Sequence, residues 1–584
     1  MKTVELPKAS ADQVKELVGP SPVYLVGSYL STFLPTNLPS GTETTRALYE
    51  LVFGPGLAWR PDGWRDWLEK DFRQIPFEGV MECYPDQVGL PTIIGELYGK
   101  SVPNDFHELL AEQLVFGSVA GIVTTNYDLG FDSALVRQQG VQTIVTSTDS
   151  THWQSAETRL KPYFKIHGCA SQGHRDSLVF RLAREGRLPG WKQRTLERML
   201  EGRVLVVMGY SGRDFDICPE LARLKSLSDV VWLVPEIKDL TPNANRVLGG
   251  RDGTLLVGDA CQLIRILYEP SFSPSAGTGK LSNLDGYFDN ARIEEWRVRI
   301  LDWLACYTLG LQALSEVVAK NDLWARRTHC SLLGHAGKYR TAAQELLKLS
   351  REWGISTEYK IGLLIGASGS LFSNGSHLRS LRLLREAARQ STSLPPSSAE
   401  RGRIDIQLAG SWLVRWMRVA QIARILRIKR LGALAKNRAL PEYTRTRNAL
   451  EESGDWGGLQ ATQHNAERIG IADASGMALE PIEGYYVLGL RGMECIRHRD
   501  DLRRGGWWLS TDQVSRSEEW IRVAKRYGWN HEAWKLSWIL LWRSRGGNRL
   551  RYFRWWFVHF FKTQYALSER LRQLVTAALP QSQS

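Results

Sequence analysis

The sequence has 584 residues and a net charge of +13 at neutral pH. A chain of this length is too long for one hydrophobic core, so two or three domains are expected. Hydrophobic and charged contents of 43% and 23% are typical of an ordinary soluble globular protein. Because no run of about eighteen apolar residues occurs and the N-terminus lacks a signal-peptide pattern, the sequence predicts a cytoplasmic protein without a membrane span.

Charge is distributed unevenly along the chain. Residues 1–270 contain 28 Lys and Arg against 33 Asp and Glu, a net charge of −5. The remaining residues contain 47 against 29, a net charge of +18. The basic character therefore belongs to the C-terminal half.

The seven cysteines are scattered and never form a C-x-x-C pair. This pattern argues against a zinc ribbon or a disulfide framework and is compatible with reduced thiols. Cys169 follows His167 directly, but no second His or Asn is placed by the sequence to activate it. We interpret Cys169 as a small packing residue rather than a nucleophile.

The first strong β-strand pattern is SPVYLVG at residues 21–27, which leads into a turn at Gly27 and Ser28. A glycine turn after a strand can present backbone amides to a phosphate. A surface loop punctuated by proline explains the same residues equally well. Helical, aromatic-rich patterns follow, including one at residues 64–75.

Further strand patterns end in polar or glycine-containing loops. Ile122, Val123 and Thr124 form an apolar, β-branched run that leads into TTNYD, and KPYFKIHG ends at His167 and Gly168. A buried strand at residues 204–208 leads into GYSGRD, and strands are also predicted at VQTIVTST (141–148) and DVVWLVP. Polar loops at the carboxyl ends of parallel strands predict a nucleotide crevice in an α/β Rossmann-like sheet.

Three motifs together resemble a known family. TTNYD at 124–128, KIHG at 165–168 and VVMGYSGRDFDI at 206–217 resemble, in order and spacing, the sirtuin-like domain of bacterial antiphage-defence proteins. The resemblance covers about the first 270 residues. It implies binding of NAD⁺ and, in the defence branch, cleavage of the bond between nicotinamide and ribose.

The resemblance also implies roles for individual residues. Asn126 would contact the nicotinamide ribose and position water, Asp128 would hold the nicotinamide carboxamide, and His167 would act as general base. Imidazole and amide groups suit this chemistry, since one titrates near neutral pH and the other both donates and accepts hydrogen bonds. The residues expected along the ribose and phosphates are Gly27, Ser28, Ser31, Gly209, Ser211 and Asp214.

The sequence departs from the sirtuin pattern in two ways. Tyr29 stands in the first loop where a second glycine is expected, and a ring there would obstruct the pyrophosphate, swing aside or gate the pocket. The two C-x-x-C pairs of protein-deacylating sirtuins are absent, which argues against a deacylase and predicts a site without metal.

The remainder of the chain is predicted to be helical. We assign 1–270 to the sirtuin-like domain, 271–283 to a linker rich in Ser, Pro and Gly, and 284–584 to a basic α-helical sensor or oligomerisation domain. GKYRTAAQELLKL resembles part of a tetratricopeptide-type hairpin, but no repeat period is sustained. Arg and Trp residues in this half suit nucleic acid binding or, preferably, helix packing and protein contacts.

The sequence thus predicts a triggered NAD⁺ glycohydrolase that depletes NAD⁺ in infected cells, an abortive-infection effector. The predicted partners are NAD⁺, further copies of the chain, and a phage protein or defence protein as trigger. The alternatives are a non-catalytic protein that binds NAD⁺ or a nucleotide or scaffolds a partner, and an ADP-ribosyltransferase that uses the same Asn126 and His167.

Overall fold

The computed structural model describes two compact units, Met1–Ile293 and Glu294–Ser584. The predicted helix at 64–75, the predicted strand at 141–148 and most of the predicted linker at 271–283 lie outside the described residues. The described residues are 1–54, 77–138, 161–181, 188–214, 216–250, 253–268, 274–277, 284–303, 306–316, 322–395, 399–425, 428–453, 462, 498–499, 502, 508–527, 530–544, 548–565, 567–568 and 570–571.

The N-terminal unit is built on a parallel sheet, which in the described part of the chain has seven strands in the order β1-β7-β6-β5-β2-β3-β4. Every neighbouring pair is parallel. The predicted Rossmann-like α/β fold is therefore confirmed. The strands are β1 (Lys2–Glu5), β2 (Val23–Val26), β3 (Gly121–Thr124), β4 (Tyr163–Lys165), β5 (Val204–Met208), β6 (Asp229–Val234) and β7 (Thr254–Val257).

The strands form because their apolar runs are buried on both faces of the sheet. In β2, Tyr24 and Val26 pack into one hydrophobic core, whereas Val23 and Leu25 pack into the core on the opposite face. This alternation follows from the two-residue period of a β-strand. Strand β1 precedes the strand that the sequence suggested as the first. Within the described part of the sheet it pairs with β7 alone, and it buries only Val4, so its apolar pattern is weak.

Helices connect the strands of this unit. Asn104 and His107 form a capping box at the N-terminus of α5, each side chain bonding the other's backbone N–H. The helices of the N-terminal unit are α1 (Ala11–Val18), α2 (Gly41–Phe53), α3 (Phe77–Glu82), α4 (Leu90–Tyr98), α5 (Asp105–Val115), α6 (Gly130–Arg137), α7 (Gly190–Leu200), α8 (Ile217–Arg223), α9 (Pro242–Gly249) and α10 (Ala260–Tyr268).

The strand order reverses between β2 and β5. Strands β3 and β4 extend the sheet on one side of β2, whereas β5, β6, β7 and β1 extend it on the other. Because β2 and β5 are neighbours, the loops after them both leave the carboxyl edge of the sheet at this reversal. Open α/β sheets bind their ligands in the crevice at such a reversal.

The C-terminal unit is helical in its described part, as predicted. Consecutive helices pack on one another; α13, α14 and α15 share a core that includes Cys330, Leu346 and Leu363. Among the described residues, no helix is both long and apolar enough to cross a membrane. The helices from residue 290 onward are α11 (Asn290–Trp303), α12 (Tyr307–Glu316), α13 (Leu323–His335), α14 (Tyr339–Leu349), α15 (Thr357–Ser373), α16 (His377–Ser391), α17 (Ala399–Ile425), α18 (Lys429–Ser453), α19 (Thr511–Tyr527), α20 (Asn530–Arg543) and α21 (Arg549–Lys562).

Candidate active site

The loops after β2 and β5 touch through their backbones. The Gly27 N–H donates to Met208 O at 3.0 Å, and a Cβ added to Gly27 would lie 2.3 Å from Gly209 O. Gly209 itself has a φ of +64°, a conformation that favours glycine. These two glycines therefore allow the loops to meet at the reversal point of the sheet.

Asn126 lies two residues beyond the end of β3. Its amide Nδ2 donates to Ser31 Oγ at 3.0 Å and to Gly27 O at 3.3 Å, so it joins the loops after β2 and β3. Its Oδ1 is buried and accepts no hydrogen bond from the described residues. A buried amide oxygen without a partner is costly unless something binds it, and it is an acceptor available to a ligand.

Asn126 and His167 each follow one of two neighbouring strands. Strands β3 and β4 pair in a register that ends with Thr124 opposite Lys165, and both residues lie two positions beyond that pair. The Ile166 N–H donates to Thr124 O at 2.9 Å, and the Ala170 N–H donates to Tyr127 O at 2.9 Å. Because these bonds flank Asn126 and His167, the two segments stay together at the predicted catalytic residues.

Ser31 connects Asn126 to Asp128. The Ser31 hydroxyl donates to Asp128 Oδ2 at 2.8 Å while it accepts the Asn126 amide, and the Gly130 N–H donates to Asp128 Oδ1 at 2.8 Å. Ser31, Asn126 and Asp128 are all buried. The hydroxyl of Ser31, which the sequence assigned to a phosphate loop, thus holds two other predicted site residues in this structure.

A buried histidine, His107, lies next to Ser31 and supports the hydrogen bonds that Ser31 makes with Asn126 and Asp128. His107 Nδ1 accepts the Asn104 N–H at 3.1 Å, which leaves the proton on Nε2, 3.5 Å from Ser31 Oγ. Burial lowers the pKa of His107 to about 4, although the charge of Asp128 opposes the shift. His107 is therefore neutral near pH 7 and acts as part of the support.

The loop that carries Asn126 and Asp128 is held by a lysine from β4. The ammonium group of Lys165 is fully buried; it donates to Asp132 Oδ2 at 2.9 Å and also to the backbone oxygen of Asp128. Tyr163 donates to the same Asp132 oxygen at 3.1 Å. Strand β4 therefore fixes the path of the chain between β3 and α6.

His167 forms a buried pair with Asp216. The distance between His167 Nε2 and Asp216 Oδ1 is 3.1 Å, and the two side chains are 5% and 2% exposed. Burial favours the neutral imidazole, but the charge of Asp216 and its hydrogen bond outweigh it, so the pKa of His167 is raised. A raised pKa makes the imidazole a stronger proton acceptor.

Further acidic groups surround this pair. Burial, with the nearby charge of Asp216, raises the pKa of Asp214 to about 7, and Asp214 Oδ1 is buried without a hydrogen-bond partner among the described residues. Burial also raises the pKa of Glu78 on α3.

One ligand atom from each of His167, Asp214 and Asp216 lies within 4.8 Å of the others, a grouping that could hold a metal ion. The expectation of a site without metal therefore stays a prediction.

The other residues expected along the phosphates lie at the same edge. Ser28 Oγ accepts the Gly41 N–H at the start of α2 (3.2 Å). Ser211 is exposed, and its carbonyl accepts the Thr241 hydroxyl at 2.8 Å. Tyr29 is 42% exposed, and its ring packs edge-on against that of Phe33, with the ring centroids 5.5 Å apart. The phosphate-binding roles of Ser28 and Ser211 remain predictions.

Sequence reasoning did not single out Asp216, Lys165 or His107 as functional. Asp216 belongs to the GYSGRDFDI run, where an acid two residues after Asp214 is the signal that would have drawn attention to it. Lys165 is a charged residue in an otherwise apolar strand pattern, which is also a detectable signal. His107 lies in an ordinary amphipathic helix pattern and offers none.

A family model matches the part of the chain that contains most of these residues. The family model of the SIR2-like domain matches residues 120–248, a stretch that contains Asn126, Asp128, His167, Gly209 and the residues that follow to Asp214. The loop after β2 lies before the match. No curated protein matches the chain. Within its N-terminal unit, the chain therefore contains a SIR2-like domain.

Proposed function

We propose that this chain is an NAD⁺ glycohydrolase that binds NAD⁺ at the carboxyl edge of β2, β3, β4 and β5. The observation that carries this proposal is the buried Oδ1 of Asn126, which has no hydrogen-bond partner among the described residues and lies just beyond the paired strands β3 and β4 that also lead to His167. The SIR2-like match over 120–248 supports NAD⁺ as the ligand.

In the proposed reaction, the bond between C1′ of the ribose and the nicotinamide nitrogen breaks, and its electron pair leaves with neutral nicotinamide. Water then adds to the oxocarbenium-like C1′, and His167 accepts the proton that this water loses. Asn126 orients the water and a ribose hydroxyl through its amide. The products are nicotinamide and ADP-ribose.

The remaining predicted residues hold the dinucleotide. Asp128 accepts the carboxamide NH₂ of nicotinamide through lone pairs that Ser31 and Gly130 leave free. Gly27 and Gly209 let the backbone approach the ribose and phosphates closely. Ser28, Ser211 and Asp214 line the same edge, and Ser31 acts by orienting Asn126 and Asp128.

We further propose that the enzyme is an antiphage effector which the helical C-terminal unit restrains or assembles until a trigger arrives. An NADase that is always active would poison its own cell, so a control element is required. The net charge of +18 in residues 271–584 suits an acidic partner, such as a protein surface or a nucleic acid.

Adenine-labelled NAD⁺ tests the reaction. Protein isolated from infected cells is incubated with the label, and the products are separated by chromatography, with Asn126→Ala as the inactive control. Free labelled ADP-ribose in equal amount to nicotinamide supports hydrolysis. Label retained on a macromolecule would instead indicate ADP-ribosyl transfer.

Calorimetric binding of NAD⁺ without turnover would favour the non-catalytic alternative, which Tyr29 in the first loop supports.

A further inference from the structure

The carboxylate of Asp216 lies at a helix terminus but does not cap it. Asp216 is the residue directly before α8, a position where Asp usually accepts a backbone N–H from the first turn. Its side chain makes no such bond. Instead, Oδ1 lies 3.1 Å from Nε2 of His167, and Asp216 is only 3% exposed. The Asp216 side chain therefore pairs with His167 instead of capping the helix.

The backbone of His167 is fixed independently of Asp216. The Val179 N–H donates to His167 O at 2.8 Å, and the buried Lys192 ammonium donates to Ile166 O. Gly168 follows with a φ of +99°. Since these contacts hold the main chain, the bond to Asp216 chiefly determines the orientation of the imidazole ring.

This bond also determines which ring nitrogen can act as a base. A neutral imidazole has one N–H donor and one acceptor nitrogen. When Nε2–H donates to the Asp216 carboxylate, Nδ1 carries the free lone pair. The carboxylate also stabilises the positive charge that the ring acquires when it accepts a proton.

We propose that Asp216 is a positioning residue that holds His167 in the tautomer with Nδ1 as the general base. This inference rests on the proposed function, in which His167 accepts the proton of the attacking water. It assigns the proton-accepting atom and adds a residue to the site that acts on NAD⁺ only through His167.

Kinetics of protein isolated from infected cells test the proposal. Asp216→Asn keeps the size of the side chain but replaces the carboxylate with an amide. We expect kcat for NAD⁺ cleavage to fall by about 100-fold, the lower end of what a general base contributes, while KM changes by less than about 3-fold. Asp216→Glu, which keeps the charge, should recover part of kcat. The control Asp12→Asn makes the same charge change at an exposed site on α1 and should leave both parameters unchanged.

A double variant identifies the route of the effect. If Asp216 acts through His167, the variant with both Asp216→Asn and His167→Ala should be no slower than His167→Ala alone. The proposal would be overturned by a double variant whose kcat lies about 100-fold below that of His167→Ala. It would also be overturned by an Asp216→Asn enzyme with the kcat of the wild type.

The tautomer can be observed without turnover. NMR spectra of protein with ¹⁵N-labelled histidine report the protonation of each ring nitrogen. The signal that is lost in His167→Ala identifies His167 among the 11 histidines. We expect a protonated Nε2 and an unprotonated Nδ1 in the wild type, and a changed tautomer in Asp216→Asn. A protonated Nδ1 in the wild type would refute the proposal even if NAD⁺ is hydrolysed. The expected tautomer in a protein that never cleaves NAD⁺ would instead refute the proposed function alone.

Discussion

The ammonium group of Lys165 lies 2.9 Å from the Asp132 carboxylate, with the lysine side chain fully buried and Asp132 20% exposed. The pair joins β4 to the start of α6 across the loop that carries Asn126 and Asp128. The KIHG motif therefore contains, besides His167, the residue that supports the TTNYD motif.

Replacing Lys165 with Met should destabilise the N-terminal unit strongly. Loss of one partner leaves the Asp132 carboxylate without its ion pair, which typically costs about 3–5 kcal/mol for a buried pair. The matched control is Arg137→Met, which breaks the exposed pair with Glu108 and should cost less than about 1 kcal/mol. Pulse proteolysis in urea measures both. Equal costs for the two variants would contradict the supporting role of Lys165.

A methyl group at position 27 should separate the loops after β2 and β5. In Gly27→Ala the Cβ would lie 2.3 Å from the backbone oxygen of Gly209, and backbone atoms cannot rotate away. We expect a cost of roughly 1–3 kcal/mol and loss of NAD⁺ binding. Gly41→Ala is the control, because nothing lies within 4 Å of its added Cβ. Calorimetric titration with NAD⁺ and urea unfolding provide the two readouts; an unaffected Gly27→Ala protein would show that the loops separate freely.

His107 should make the N-terminal unit sensitive to acid. Its folded pKa of about 4 lies below the ordinary 6.5, so between these values the unfolded chain binds more protons and stability falls as the pH falls. From pH 8 to pH 5 this amounts to about 2 kcal/mol. His107→Gln should lack this component, so its loss of unfolding free energy over that range should be smaller by the same amount. Parallel pH dependences in the two proteins would mean that His107 is not held neutral.

Chelation tests whether the grouping of His167, Asp214 and Asp216 needs a metal ion. If His167 is the base, its Nε2 is engaged by Asp216 and a metal is not required. We expect EDTA to change the rate of NAD⁺ cleavage by less than about 2-fold, a change worth under about 0.5 kcal/mol in barrier height. Loss of activity with EDTA, restored by one divalent cation, would assign the grouping to a metal centre.

The sequence was sufficient to predict five of the seven strands in the described part of the sheet. Apolar runs such as VYLV and VLVVM are recognisable because both faces of a parallel strand are buried. Asn126, His167 and Gly209 follow such runs within two residues, so their approximate position follows from the strand pattern. The edge strand Lys2–Glu5 was missed because only one of its residues is buried. Strand Thr254–Val257 was also missed; three of its four residues are buried, but the run is short.

The side-chain partners could not be predicted in the same way. Ser31 and Asp128 are 97 residues apart in the chain, and His167 and Asp216 are 49 apart. Which of them meet depends on the order of the strands and on loop conformations stabilised by contacts such as Asn104 with Leu30 O. The periodicity of a sequence carries no information about such contacts.

The most direct test of the central claim is the amount of NAD⁺, nicotinamide and ADP-ribose in cells that express the wild type, Asn126→Ala or His167→Ala, with and without phage infection. The account predicts that NAD⁺ falls only in infected wild-type cells, with nicotinamide and ADP-ribose rising together. NAD⁺ that is unchanged in infected wild-type cells, although the protein is folded and protects against the phage, would contradict it. An equal loss of NAD⁺ with His167→Ala would contradict the assigned mechanism.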